Sequence, residues 1–242
     1  MIFKFCFYRN EEIGNVNITI AVTICGNDSL KQGINTLKSA LILSESFLNF
    51  LIMTERELFE PIRDTLEMFK EQLNGTNSFN FNIYEIQFPN DGHNWRKLFR
   101  PCAAQRLFLP DIFSSVDSLL YVDTDVLFLS PVEEIYSFFG SMNSTQMAGL
   151  SYESQDFSSN WYHRFAKHPY YGFYGVNSGV MLMNLTRMRE FNWTKKLEPI
   201  LLEYKSRMVW GDQDILNIIF HYHPGGFFLA FYLIILFLYL SK

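Results

Sequence analysis

The sequence predicts an α/β fold with a mostly parallel central sheet, and three observations carry that prediction. Short apolar runs rich in β-branched residues recur along the chain, each continuous enough for a strand buried on both faces. Segments with apolar residues at helical spacing separate them. Polar turns punctuate the joints, so strand and helix alternate as in βα units. The 242 residues show no internal repeat, linker or low-complexity stretch ahead of residue 225. They divide into an N-terminal segment (1–16), one domain (17–224) and a hydrophobic C-terminal tail (225–242).

The elements follow in order. Residues 15–25, NVNITIAVTIC, read as a central strand that ends at the polar GNDS, after which Leu30, Ile34, Leu37 and Leu41 recur at helical spacing. FLNFLIM (47–53) is the next strand. Thr54-Glu55-Arg56-Glu57 reads as a capping box opening a helix to about Leu73, and Pro61 marks either a kink or a later start. FNFNIYEIQF (79–88) alternates as a strand does. A helix through CAAQRLFLP (102–110) leads to the strand SLLYV (118–122), VEEIYSFF (132–139) is a short amphipathic helix, and MAGLSY (147–152) and GVMLMNL (179–185) are strands.

Composition narrows the function classes. Hydrophobic residues make up 48% and charged residues 19%, which excludes a disordered or fibrous chain. The net charge is -5 and no Lys/Arg run is long enough to track a phosphate backbone, so no nucleic-acid partner is expected. Twenty-five Phe and thirteen Tyr suit a rich core first and stacking surfaces second. Cys6, Cys25 and Cys102 are too few and scattered for a disulfide framework or a zinc site. Cys25, ending an apolar run, reads as a buried free thiol; one disulfide through Cys6 or Cys102 stays open. Six Asn-x-Ser/Thr patterns occur, of which Asn74 and Asn143 sit in loop-like stretches and are the expected glycosylation sites. The start of the chain is too short for a signal peptide or anchor. The run FFLAFYLIILFLYL (227–240) would rise about 21 Å as a helix, short of the roughly 30 Å hydrocarbon core. It reads as a short membrane-associating anchor, a helix covering the domain, or a non-native end.

The chemistry concentrates in LLYVDTDVLFL (119–129). A buried strand runs into Asp123 and Asp125, one residue apart, and buried negative charge needs a partner. In open α/β sheets ligands bind beyond the carboxyl ends of the strands. Two carboxylates at that point can face one cation, and hard oxygen ligands select Mg²⁺ or Mn²⁺, which would clamp a diphosphate. A solvated turn is the bland alternative. So is a haloacid-dehalogenase-like phosphatase, in which Asp123 would be a nucleophile, although about 100 residues of βα structure precede the motif here.

The motifs LFLP, YVDTD, HPYYG, VNSGVMLMN and WGDQD, in that order over residues 17–224, resemble the glycogenin-like glycosyltransferase family 8, and within it the glucoside xylosyltransferase branch. The resemblance implies a GT-A fold and a retaining transfer of xylose from UDP-xylose, with Mn²⁺ (or Mg²⁺), to glucose O-linked on EGF-like repeats such as those of Notch receptors. It also implies a membrane-anchored enzyme of the ER and Golgi with a lumenal domain. Asp123 and Asp125 would be metal ligands. Ala21, Val22 and Asp28, around the first strand and its turn, would receive the uridine. Arg106, Asp123, Thr124, Asn177, Ser178 and Gly179 would complete the nucleotide-sugar site. Asp212 and Gln213 would reach the donor sugar and carry catalysis, with the acceptor hydroxyl attacking on the face that UDP leaves. Arg106 as a surface cation and Asp212 or Asp214 as helix caps are the alternatives weighed against these roles. Lys97 and Arg100 read as surface charges, and residues 161–175, WYHRFAKHPYYGFYG, as either an acceptor-sugar platform or a packed loop. The family's third metal ligand, a His near the C-terminus, has no counterpart, because the chain leaves the pattern at Gly225. That role is not transferred to His221 or His223. A C-terminally truncated transferase is therefore the reading, with a non-catalytic isoform or fragment as its alternative.

Overall fold

The computed structural model describes residues 17–73, 79–88, 95 and 102–229. A seven-stranded sheet organises them in the order β3-β2-β1-β4-β6-β5-β7. β1 (Ile18–Ile24) leads into α1 (Gly26–Leu43), and β2 (Leu48–Thr54) leads through a 3-10 turn into α2 (Phe59–Leu73). β3 (Phe79–Glu85) closes that edge, parallel to β2, which is itself parallel to β1. On the other side of β1 lies β4 (Ser118–Val122), also parallel, preceded by a 3-10 stretch (Ala103–Phe108) and the short α3 (Leu109–Ile112). α4 (Val132–Tyr136) precedes β5 (Ala148–Tyr152), and α5 (Trp161–Phe165) precedes β6 (Val176–Asn184). β6 runs antiparallel to both β4 and β5. The helices α6 (Leu185–Glu190), α7 (Trp193–Tyr204) and α8 (Asp212–Tyr222) follow, and β7 (Phe227–Leu229) joins β5 in parallel.

The β-branched runs form strands because both faces of the sheet are covered. Ile18, Ile20, Val22 and Ile24 pack on one face with Phe50, Ile52, Val122 and the α1 residues Leu37 and Leu41. Ala21, Leu51, Met53, Tyr121 and Met181 face the other layer, with Trp193, Leu197 and Phe220 from α7 and α8. Continuous apolar strands are what such a doubly covered sheet requires.

Four expectations change. The capping box does not form: Thr54 is the last residue of β2 and its hydroxyl donates to the Ile24 carbonyl at 2.7 Å, while the helix starts at Phe59 with Pro61 in its first turn. Of the two readings of Pro61 the later start holds, because a first-turn N–H has no intrahelical partner to lose. The segment through residues 103–108 is a 3-10 helix, not an α-helix. Cys25 is not a free thiol but is disulfide-bonded to Cys102, because the end of β1 and the start of that 3-10 segment converge to a Cα separation of 6.3 Å. Finally, the sheet runs past the boundary placed at Gly225: Met147 N–H donates to the Gly226 carbonyl and Gln146 to that of Phe227, which seats the start of the apolar run as β7. Among the described residues no helix is long and apolar enough to cross a membrane. Asn74, Lys97, Arg100, Cys6 and residues 230–240 lie outside the described residues, whereas Asn143 is exposed in the turn before β5.

α1 also holds the turn that follows β4. The buried Thr36 hydroxyl lies 2.7 Å from the carbonyl oxygens of both Thr124 and Val126, which bracket Asp125. Replacing Thr36 with Val keeps the shape and removes the donor. Thr36→Val is expected to lower unfolding stability by ~1–2 kcal/mol in urea titrations, since buried carbonyls lose their partner.

Candidate functional site

Asp123 leaves the carboxyl end of β4, and the antiparallel β6 begins beside it. The Asp123 N–H donates to the Gly179 carbonyl at 2.8 Å, one step beyond the Val122–Val180 pair of the ladder. The reversal of β6 therefore places Asn177, Ser178 and Gly179 next to the carboxylates, which a further parallel strand would not do. A Cβ at Gly179 would stand 3.1 Å from Asn177 Oδ1 and 3.4 Å from Asp123 Oδ2, so glycine leaves room for the carboxylate. α8 secures this edge: the Asn217 side chain accepts from Val176 N–H at 2.8 Å and donates to its carbonyl at 3.0 Å.

Gly211, at φ 67°, turns the chain into α8 so that Asp212 and Gln213 open the helix beneath β6. Gln213 Oε1 accepts from the Ser178 N–H at 3.0 Å and lies 3.2 Å from its hydroxyl. Asp212 is buried against Arg106, whose Nε lies 2.7 Å from Asp212 Oδ2 as an ion pair without hydrogen-bond alignment. The same guanidinium donates from Nη2 to Asp123 Oδ1 at 2.6 Å and from Nη1 to the Ser178 carbonyl, and it lies 4.4 Å from the centre of the Tyr121 ring. Arg106 is thus a buried centre of the site. Burial works against its charge, but Asp123 and Asp212 outweigh burial and hold its pKa above the ordinary arginine value.

The acids respond to the same surroundings. Burial raises the Asp123 carboxyl, Arg106 pulls it back, and Asp125 adds to the rise. Burial pushes Asp212 up to about 6, with Arg106 opposing and Asp123 reinforcing. Asp214 points elsewhere. It accepts from Val209 and Trp210 N–H at 2.7 Å each and from the Tyr162 hydroxyl at 2.9 Å, and His168 Nε2 lies 3.2 Å away. It caps the loop ahead of α8 and holds Trp210 in place.

One cavity of about 410 Å³ gathers these groups. Arg106, Asp123, Asp125, Asn177, Ser178, Gly179, Asp212 and Gln213, all expected from the sequence, line it. Ala21, Val22, Asp28 and Thr124 do not. Ala21 and Val22 are buried in mid-strand, their backbones in register with β2 on one side and β4 on the other, so neither side chain nor backbone is free to read a base. Asp28 is exposed in the first turn of α1, and Thr124 is half-buried, turned towards α1. Sequence reasoning missed Ser151, Tyr152, Glu153 and Trp210 on the wall. Trp210 stood inside the WGDQD motif as a signal; the β5 residues carried none. Residues 161–175 divide: Tyr162 is core, whereas Phe165 and Phe173 are exposed.

The donor set suits a hard divalent ion. Asp123 Oδ1 is engaged by Arg106 and by the Tyr121 hydroxyl at 3.2 Å, which leaves Oδ2 and the exposed Asp125 as two oxygen ligands. Two carboxylates with substrate phosphates are enough for such an ion. The one grouping of three potential ligands among the described residues is Cys25, Glu55 and Cys102, where both sulfurs are spent in the disulfide. His221 and His223 do not line the cavity.

Two outcomes test this electrostatic arrangement. Arg106→Leu leaves Asp212 buried without its counter-ion and is expected to cost ~3–5 kcal/mol in chemical unfolding, towards the lower figure because Asp123 is partly exposed. Asp212→Asn in the same background should restore part of the loss. The second concerns pH. Folding raises the Asp212 pKa from 3.8 to about 6, so the folded chain binds this proton more tightly than the unfolded one. That stabilisation is full at low pH and is lost as the pH rises through about 6. Asp212→Asn should therefore show a smaller fall in Tm than the parent between roughly pH 4 and pH 6.

The fold and the site have counterparts. The model for glycosyl transferase family 8 matches residues 25–224. Glucoside xylosyltransferase 1 of Rattus norvegicus is 48% identical over 221 residues, covering 86% of this chain and 50% of the relative. The Gallus gallus protein of that name is 46% identical with the same coverage, and glucoside xylosyltransferase 2 of Xenopus laevis is 45% identical over 217 residues, covering 85% of this chain and 51% of its own. The chain spans about half the length of these relatives. Among solved structures, apo mouse xyloside xylosyltransferase 1 superposes with a TM-score of 0.64 at 19% identity, covering 89% of this chain and 85% of that one. The galactosyltransferase LgtC, in complex with donor and acceptor sugar analogs, superposes at 0.63 with 20% identity, covering 88% and 73%. These structural neighbours share the GT-A fold. With the family model spanning most of the chain and the expected acids, arginine and amides meeting in one cavity, the chain belongs to glycosyl transferase family 8.

Proposed function

We propose that the chain forms the donor site of a retaining xylosyltransferase that moves xylose from UDP-xylose to glucose O-linked on EGF-like repeats, Notch-type repeats included. The observation that carries this reading is the convergence of Asp123, Asp125, Arg106, Asn177, Asp212 and Gln213 on one cavity in a chain whose curated relatives are glucoside xylosyltransferases. Asp123 Oδ2 and Asp125 would hold a divalent ion, Mn²⁺ or Mg²⁺, which when bound supplies positive charge to a diphosphate. The chain's own residues do the remainder. Arg106 lies between Asp123 and Asp212 and opposes the rise that burial imposes on both carboxyls. Asp212 presents a carboxylate to sugar hydroxyls, and Asn177, with its Oδ1 tied to Gly179 N–H at 2.8 Å, presents its amide N–H groups. Gln213 is held through Oε1 by Ser178 and is a carboxamide, too weak a nucleophile to form a stable glycosyl intermediate. Attack by the acceptor hydroxyl on the face that UDP leaves fits that wall, with the departing phosphate taking the proton.

The reading extends to location. A disulfide between Cys25 and Cys102 supports an oxidising compartment, consistent with a lumenal domain in the ER or Golgi. Exposed Asn143 would then be open to N-glycosylation. Binding of nucleotide sugar without transfer is the second reading, favoured by the two-carboxylate donor set.

Calorimetric titration of UDP in Mn²⁺ and UDP release from UDP-xylose with a glucosylated EGF-like repeat test both readings. UDP binding that needs the ion and weakens on the order of 100-fold in Asp123→Ala, as loss of a direct ligand should exceed the effect of its outer-shell partners, is expected. Turnover above the Asp123→Ala control supports the transferase; binding with no turnover above that control supports the second reading; no UDP binding overturns both.

A further inference from the structure

Behind the cavity, one buried histidine has no part in the donor site. His168 lies in the stretch between α5 and β6, and its side chain is wholly shielded from solvent. Both of its ring nitrogens face oxygen acceptors. Nδ1 stands 2.9 Å from the Pro169 carbonyl oxygen, which can only accept, so Nδ1 carries a hydrogen. Nε2 lies 3.2 Å from Asp214 Oδ1, a contact of charge without hydrogen-bond alignment, and hydrogen-bonds to nothing among the described residues. Asp214 in turn accepts from Val209 N–H, Trp210 N–H and the Tyr162 hydroxyl, as an ionised carboxylate does. A bare Nε2 would set its lone pair against that buried anion, whereas a protonated Nε2 sets a cation there.

The surrounding groups agree with a charged ring. Burial works against the charge on His168, but Asp214 and the Pro169 carbonyl outweigh it and raise its pKa above the ordinary 6.5, with the Arg207 guanidinium opposing. The Tyr162 ring stands edge-on to His168 at 6.0 Å, and burial with Asp214 beside it holds its hydroxyl far above its ordinary range, so it stays a donor.

Asp214 carries the effect to the cavity. Its Oδ2 takes the N–H groups of Val209 and Trp210 at 2.7 Å each, and Trp210 lines the cavity. While His168 is charged, the buried carboxylate has its counter-ion and the loop is clamped. Without that proton Asp214 is a lone buried charge, and the least costly relief is to open the loop and admit water. A proton held more tightly in the clamped state supports that state fully below pH 6.5, and the support fades as the pH rises through the raised value.

We propose that His168 is a positioning residue of this site: a buried imidazolium that, through Asp214, clamps the loop bearing Trp210 on the cavity wall, so that this wall loosens as the pH rises. His168 does not itself line the cavity, and its role holds whichever sugar is transferred.

The test is NMR on the full chain, labelled with ¹³C in its five histidines and ¹⁵N in its four tryptophans, with signals assigned through the backbone of the parent. In the parent, His168 is expected to titrate above 6.5. Hydrogen exchange of the Trp210 N–H, corrected for its intrinsic rise with pH, should quicken on the order of tenfold through the same midpoint, the scale of one lost hydrogen bond to a charged group. Asp214→Asn should drop the His168 midpoint below 6.5, since burial then prevails, and His168→Gln should leave the corrected exchange flat with pH. A His168 that titrates at or below 6.5 in the parent overturns the proposal, as does corrected exchange that is flat in the parent, which is what a merely structural histidine gives. So does a step that survives in His168→Gln, or a midpoint that Asp214→Asn does not move. The two parent measurements decide the matter even where a variant fails to fold.

Discussion

The site depends on a single buried guanidinium. Arg106 touches Asp123 from the end of β4, Asp212 from the start of α8 and the carbonyl of Ser178 from the start of β6. Asp212 would be untenable there alone, because a buried carboxylate without a counter-charge costs several kcal/mol. Together these groups form a knot that ties three distant stretches of chain to one point. The knot is also why the 3-10 segment of residues 103–108 must sit where it does. The Cys25–Cys102 disulfide and the bond from the Trp193 indole to the Leu107 carbonyl at 2.9 Å hold that segment against β1 and α7.

Around this knot the polar groups divide their work. Asp123 gives one oxygen to Arg106 and keeps the other towards the cavity. Asp214, two residues from Asp212, faces away from the cavity and satisfies the N–H groups of Val209 and Trp210 together with Tyr162 and His168. The two acids of the Asp-x-Asp at 212–214 therefore do different things because successive helix residues point in different directions. The first meets the ligand side and the second shapes the loop that bears Trp210. Those two bonds hold the loop in place and with it the exposed Trp210 indole on the cavity wall.

Much of this was legible in the chain. Apolar β-branched runs, spaced by amphipathic segments, carried the α/β class and most of the strands, since a doubly covered sheet imposes that pattern directly. The Asp123–Asp125 pair declared itself because carboxylates ending a buried strand demand a cation. Glu153 did not, because an acid just after a strand has no local feature to separate it from a surface residue. Ala21 and Val22 do not line the cavity for a related reason: pairing of β1 on both sides buries that stretch, which no local feature announces.

What the sequence determined by itself is thus local. Strand and helix periods, the acid pair and the WGDQD turn all follow from side-chain spacing within a few residues. Tertiary structure decided everything that needs partners far apart in the chain. The antiparallel return of β6, which sets Asn177–Gly179 beside Asp123, comes from sheet pairing that no short window contains. The same holds for the pairing of Cys25 with Cys102, for the seating of Phe227–Leu229 on β5, and for the conversion of Arg106 from a helix-borne cation into the buried counter-charge of two acids. Spacing shows which groups need a partner; only the folded chain shows which partner arrives.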